Sequence, residues 1–479
     1  MSRKHKRKEI IIEQLTIESL GNEGVAIARN EEGIVHFIKH AAPGDIIKAE
    51  IRHKKKRYAE GIIREIIVPS TIRIEPLCSH AGTCGGCSWQ HIGYEHQLYW
   101  KKQHTIDVFD RIGKIPYNHI ADTLPSPQQE YYRNKMEFSF GSSKWLTEDQ
   151  IASGEDFKKD FAFGLHIPGR FDKILDIEAC YIQPKAGNAI LELLRIKALD
   201  LSINAYNPRT HTGFLRTLLI RSTLAHNELM SLLITQTPKE ENEFLFLEWW
   251  QNEAKLLIPE ITSLATVENN SLSPIAQGEI TFLDGSPYIT EQVLGINYQI
   301  SPFSFFQTNS YQLPVFLKSI ISQADISRLD TVWDLYCGAG TISFPIAQKA
   351  KHCIAIELSQ SSINDAKNNQ TINNVDNIEF HCFDLHKKQA IEFLHTLSKP
   401  DCIIIDPPRA GINQILLDHL LEIESPKLIY VSCNPATQAR DCAILSEKYI
   451  ITHIQPVDMF PHTAHIESIA TLILKSLYY

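Results

Sequence analysis

Cys433 closes the apolar run LIYVSC and is followed at once by Asn434 and Pro435, residues that open a helix. A lone buried cysteine is ordinarily an inert small hydrophobe. At a strand end, facing the positive end of a helix dipole, a thiol is instead biased towards thiolate, the form that attacks carbon. Such a thiolate can add to an electron-poor ring carbon and turn the neighbouring carbon into an enolate carbon that accepts an electrophile. The adduct must then lose the proton from that carbon, which requires a carboxylate or an imidazole on the proper face. The segment PHTAHIE supplies both, and Glu467 is the preferred base over His462 and His465, which read as ordinary structural histidines. Asp406, in DPPR after the apolar CIIID, ends a strand as Cys433 does, so both belong at the carboxyl edge of one sheet, where α/β folds bind ligands.

A second group is nucleotide-like. Asp334, Tyr336, Gly338 and Gly340 lie in DLYCGAGT, a Gly-rich turn between an apolar strand and a helix, and Glu357 follows Gly338 by 19 residues at the end of the next apolar run. A carboxylate there accepts hydrogen bonds from both hydroxyls of a ribose. A dinucleotide would use the same elements. Two details favour a methyl donor instead: Ser343 stands where the third glycine belongs, and Asp334 precedes the turn, where it repels a diphosphate and attracts a sulfonium and an amino group.

Cys78, Cys84 and Cys87 form a C-x5-C-x2-C set in a Gly-rich stretch that cannot pack as a core helix or strand. Three thiols so close in a reducing compartment usually hold metal, and Cys180 is the best fourth ligand. Ligand chemistry alone leaves iron–sulfur and zinc both open.

These groups need three bodies to position them. Residues 1–70 read as short alternating strands with Gly21, Gly24, Gly33 and Gly44 at the corners, a small all-β barrel. Its basic run His53 to Arg57, beside Tyr58, sits at a strand end and suits an RNA backbone. Residues 71–303 are mixed, an α+β region carrying the cysteines. Residues 304–479 alternate apolar runs with helical segments, a parallel sheet covered on both faces.

The net charge of −9 hides an asymmetry, since residues 1–70 hold 14 Lys and Arg against 10 Asp and Glu, and phosphate attraction concentrates there. With 43% apolar and 22% charged residues the chain is a folded globular protein. The basic start MSRKHKRKEI lacks the apolar core of a secretory signal, and no stretch reaches the roughly 20 apolar residues that span a bilayer, so a cytoplasmic protein without membrane contact is expected.

With SPFSFFQTN around Gln307, DLYCGAGT, DPPRAG, VSCNP, HTAHIE and the cysteine set in this order, the chain resembles the RNA uracil-C5 methyltransferases, specifically those of bacterial 23S ribosomal RNA, along nearly its whole length. The resemblance implies a TRAM-like (OB-like) N-terminal barrel, a central RNA-binding region and a C-terminal Rossmann-like class I methyltransferase domain. It implies S-adenosyl-L-methionine held by Gln307, Tyr336, Glu357, Asp384 and Asp406, Cys433 as nucleophile and Glu467 as base. It also implies a [4Fe-4S] cluster on Cys78, Cys84, Cys87 and Cys180, structural or RNA-positioning rather than redox-active. Structured RNA is the expected partner, 23S ribosomal RNA before transfer RNA, with no DNA and a monomeric protein. Arg133, Lys135 and Arg216 are candidate phosphate contacts, and Phe305 and Phe306 candidate holders of a flipped uracil. Thr341 stands where some relatives carry Asn, which weakens the expectation of a side-chain contact to the donor there. Two other classes remain: a non-catalytic RNA-binding protein, against which Asp406, Cys433 and Glu467 argue, and a dinucleotide oxidoreductase, which leaves DPPR and SCNP unexplained.

Overall fold

A computed structural model describes residues 11–273 and 275–478. The basic start lies outside the described residues. Among those described, no helix is long and apolar enough to cross a membrane.

The expected barrel is present and closed. Strands β1 (Ile11–Leu20), β2 (Ala26–Arg29), β3 (Val35–Lys39), β4 (Ile46–Lys54) and β5 (Tyr58–Val68) run in the order β1-β2-β3-β5-β4, and β1 pairs with β4 to close the ring. Alternation decides its inside: Leu15, Ile17, Ala26, Ala28, Ile47 and Ala49 fill the core. Trp89, just beyond the cysteine segment, completes that core, and its backbone N–H donates to the carbonyl of His462 (2.9 Å). The barrel is thereby docked on the loop that leads to Glu467.

The middle region is built on a seven-stranded sheet. Its strands are β6 (Lys135–Gly141), β7 (Ala162–Ile167), β8 (Arg170–Asp176), β9 (Leu215–Ser222), β10 (Leu229–Thr235), β11 (Ser263–Glu268) and β12 (Glu279–Asp284), in the order β12-β11-β10-β9-β6-β7-β8. Only β10 and β11 pair in parallel, and the helix Glu241–Leu257 makes the crossover that such a pair requires. Leu218, Ile220 and Leu233 face this helix and the helix Lys185–Asp200, whereas Leu219, Met230, Leu232 and Ile234 face the last domain. A short hairpin, β13 (Ile289–Val293) and β14 (Ile296–Ile300), joins the two regions.

The last sheet consists of β15 (Thr331–Leu335), β16 (His352–Glu357), β17 (Ile378–Cys382), β18 (Cys402–Ile405), β19 (Lys427–Ser432), β20 (Tyr449–Val457) and β21 (Glu467–Leu474). Their order is β17-β16-β15-β18-β19-β21-β20, parallel from β17 to β19, with β21 antiparallel to both its neighbours. A dinucleotide fold would continue in parallel order; here the final strand is inserted ahead of β20. The order reverses at β15, which opens a crevice above the carboxyl ends of β15, β16 and β18. The helix Tyr94–Val108 packs beside the helix Pro435–Leu445, and Tyr117, Ile120 and Leu124 bridge to β20 and cover that sheet edge.

Candidate active site

Three strand ends bring the candidate catalytic groups together. β18 ends at Ile405, just before Asp406, because Pro407 and Pro408 have no N–H for a ladder. β19 stops at Ser432, and Asn434 caps the next helix by accepting from the N–H of Ala436 (3.2 Å), with Pro435 at its first position. Cys433 is held between strand and helix. β21 runs the other way, so its first residue, Glu467, lies where the parallel strands end. The register pairs Ser432 with Ser468, which sets Cys433 opposite Glu467.

The electrostatics of this corner differ from the helix-dipole expectation. Burial first, then the charges of Glu467 and Asp406, push the Cys433 thiol up to about 12, with Arg409 opposing them. Glu467, 5% exposed, is raised well above the carboxylate range by burial and then by Asp406, again against Arg409. Asp406 rises to about 7 through burial and the charge of Asp334. At neutral pH the resting thiol is therefore protonated; one helix N-terminus does not outweigh burial beside two acids.

The crevice next to it is a nucleotide-shaped turn. Gly340 has φ +85°, and a Cβ there would stand 2.7 Å from the Phe344 ring. Tyr336 adopts a left-handed φ of 68°, a strained conformation for a bulky residue and of a kind that clusters at functional sites. Glu357 is locked by two N–H donors, Gly338 to Oε2 (3.1 Å) and Ser359 to Oε1 (2.8 Å), and each oxygen retains a lone pair. Asp334 is fully buried under the turn, where Ser343 Oγ donates to Oδ2 (2.5 Å) while Oδ1 has no partner, and burial pushes its carboxyl up to about 7. Asp384, half-buried just past β17, accepts from the N–H of His386 (2.9 Å). Gln307 sits on the loop after β14; its carbonyl accepts from Asn134 Nδ2 (2.8 Å), and its neighbour Phe306 packs on Tyr298, whose hydroxyl donates to the Thr341 carbonyl (3.2 Å). Tyr336, Glu357, Asp384 and Asp406 thus share one sheet edge, and Gln307 reaches that edge through Phe306 and Tyr298.

The model for tRNA (uracil-5-)-methyltransferase matches residues 279–475, and that for the TRAM domain matches residues 7–63. An RNA methyltransferase of Bacteroides thetaiotaomicron is 39% identical over 454 residues, covering 95% of this chain and 99% of its own. The chain belongs to the RNA uracil-5-methyltransferase family. An RNA methyltransferase of Chlorobaculum tepidum is 37% identical, over 97% of this chain and 96% of its own. Among solved structures, the Pyrococcus abyssi tRNA (uracil-54, C5)-methyltransferase in complex with S-adenosyl-L-homocysteine aligns with a TM-score of 0.73 and 26% identity, over 96% of this chain and 99% of that one.

In this methyltransferase some residues singled out from the sequence have other duties. Phe306 is 3% exposed and belongs to the core, whereas Phe305 is 63% exposed. Arg216 is 6% exposed; it donates to the carbonyls of Asn269, Ser271 and Ser273 and lies 4.3 Å over the Tyr206 ring, so it braces a loop and is closed to phosphate. His462 is hydrogen-bonded to Gln97 on both backbone and ring, a structural link. Arg133, Lys135 and Phe305 line an open cleft of about 890 Å³, together with Arg170 and Phe171. The last two open β8 just after the turn at Pro168 and Gly169, and a basic residue and an aromatic after a glycine were the signal available in the sequence.

Cys78, Cys84, Cys87 and Cys180 of the enzyme face one small cavity, with Leu165, Ile177 and Ile182 in its wall. Burial, and then the neighbouring thiols, push Cys84 up to about 11 and Cys87 to about 12, and burial also raises Cys78 and Cys180. Four thiolates here require a cation to hold them. No three of the described sulfurs gather within 4.8 Å of one another.

Proposed function

We propose that the enzyme methylates C5 of a uridine in structured RNA, with S-adenosyl-L-methionine as donor and Cys433 as covalent nucleophile. The observation that carries this reading is the convergence of Cys433, Glu467 and Asp406 beside the Glu357 crevice. S-adenosyl-L-methionine supplies an electrophilic methyl group; Glu357 fits its ribose hydroxyls, and the relative solved with S-adenosyl-L-homocysteine supports the assignment. Tyr336, Asp384 and Gln307 complete its proposed cradle, with Asp406 between donor and uracil.

Cys433 gives up its proton to solvent as the uracil docks, and Sγ bonds to C6. The C5–C6 double-bond electrons shift onto C5 and O4, and C5 takes the methyl group as the donor's sulfur–methyl bond breaks and S-adenosyl-L-homocysteine leaves with that electron pair. Glu467 then removes the C5 proton, the C5–C6 double bond re-forms and the C6–S bond breaks, returning the electron pair to Cys433. In its ionised form Glu467 binds a proton more tightly than an exposed carboxylate does, which favours this transfer. A Cys433→Ser protein retaining the wild-type rate of 5-methyluridine formation would refute the scheme; loss of turnover with intact RNA binding is expected.

The cysteines are proposed to hold a [4Fe-4S] cluster that ties Cys180 to the Cys78–Cys87 loop without redox chemistry. The all-thiolate donor set supports this reading, and a colourless purified protein holding zinc would refute it. The proposed RNA is 23S ribosomal RNA. Transfer RNA is the second reading, favoured by the full-length likeness to a tRNA uracil-54 enzyme. Mapping 5-methyluridine in both RNAs from a deletion strain decides between them.

A further inference from the structure

Behind the catalytic edge, on the outer face of the last sheet, three side chains converge that the methylation chemistry does not use. His395 follows the helix Lys388–Leu394, and His419 and Glu422 lie one turn apart on the helix Gln414–Ile423. One ligand atom from each falls within 4.8 Å of the others. His419 is 2% exposed, and neither of its ring nitrogens has a hydrogen-bond partner. Its Nδ1 stands 4.0 Å from Glu422 Oε2, too far for a hydrogen bond. The His395 ring meets it edge-on, with centroids 4.5 Å apart at 80°, and the Trp333 ring lies parallel beneath, 6.5 Å away at 12°. A buried imidazole with both nitrogens unsatisfied is costly unless something binds it.

We propose that His395, His419 and Glu422 form a site for a divalent transition metal, zinc foremost, that pins the helix after Asp384 to its neighbour. Two imidazoles and one carboxylate are a donor set for Zn²⁺, whose bonds of about 2.0–2.2 Å would draw these atoms slightly inward and leave a fourth position for water. His395 and Glu422 are both exposed, so truncating either tests the site without opening the core.

The experiment is Zn²⁺ equilibrium dialysis and thermal melting on the full-length enzyme with its cysteines occupied, comparing wild type with His395→Ala and Glu422→Ala. Wild type should bind one equivalent at least about tenfold more tightly than either variant, and its melting temperature should rise with zinc while theirs does not. Bound Co²⁺ should give ligand-field bands without thiolate charge transfer, which separates this site from the cysteines. Equal zinc affinity and equal melting in all three proteins would overturn the proposal, as would a wild type that takes up no additional equivalent.

Discussion

Replacing Glu467 with Gln preserves side-chain shape in a strand paired on both sides, so β21 should keep its place, yet the amide cannot accept the C5 proton. Loss of a positioned base costs about 10²–10⁴ in rate, or about 3–5 kcal/mol in the barrier. Because this step follows bond formation to C6, the slowed reaction should stall as methylated RNA attached to Cys433. A second effect follows from the register. Residues 433 and 467 face each other, so the two charges lie about 6 Å apart. At an effective dielectric of 20 this repulsion is about 2.8 kcal/mol, roughly two pK units as an upper limit, and solvent at the half-buried thiol reduces it to about one. Methyl-labelled donor and RNA, resolved on a denaturing gel, should show a stable adduct with Glu467→Gln. Iodoacetamide reactivity of Cys433 against pH should shift about one unit downward. A variant that releases 5-methyluridine at the wild-type rate, with no adduct and an unmoved thiol titration, would refute the reasoning.

Asp334 binds its proton more tightly folded (about 7) than unfolded (about 3.9), so it favours folding at low pH, and that contribution fades as pH rises from about 4 to 7. Asp334→Asn should therefore melt higher than wild type at pH 8, by up to about 4 kcal/mol of stability, with the difference vanishing near pH 4. Gly340→Ala should weaken S-adenosyl-L-homocysteine binding in calorimetry far more than Gly338→Ala, since a Cβ meets the Phe344 ring at 2.7 Å in one case and nothing within 4 Å in the other. Lys101→Met leaves the fully buried Asp458 without its 2.6 Å ion pair and should cost about 3–5 kcal/mol by denaturant unfolding, part of it recovered by a second change, Asp458→Leu. Converting Lys54, Lys55 and Lys56 to Ala should weaken RNA binding and flatten its salt dependence by up to about two to three units of log–log slope.

The shared edge of Asp406 and Cys433 was legible in the sequence because each follows a continuous apolar strand, and parallel strands have no freedom over which edge their ends share. The donor turn was legible for the same reason. The antiparallel insertion of β21 was not, since ESIATLIL is as apolar as a parallel strand and nothing local states its direction. The middle sheet stayed hidden for a related cause: LMSLLIT is buried on both faces, which erases the period-two signal. Arg216 shows the limit of residue type, because the same guanidinium serves a phosphate or three carbonyls depending on loops far along the chain. The acidity of Cys433 likewise depends on Glu467 and Asp406, which only the tertiary arrangement places around it.

The position of β21 has a consequence for how the enzyme is made. The strand next to Cys433 follows β20 in the chain, and until it arrives β19 and β20 have no partner between them. Glu467 and Cys433 therefore meet only once β21 has been inserted beside β19. A chain that stops before β21 can bear the barrel, the four clustered cysteines and the donor turn, yet it leaves two apolar strand edges open and lacks Glu467 altogether.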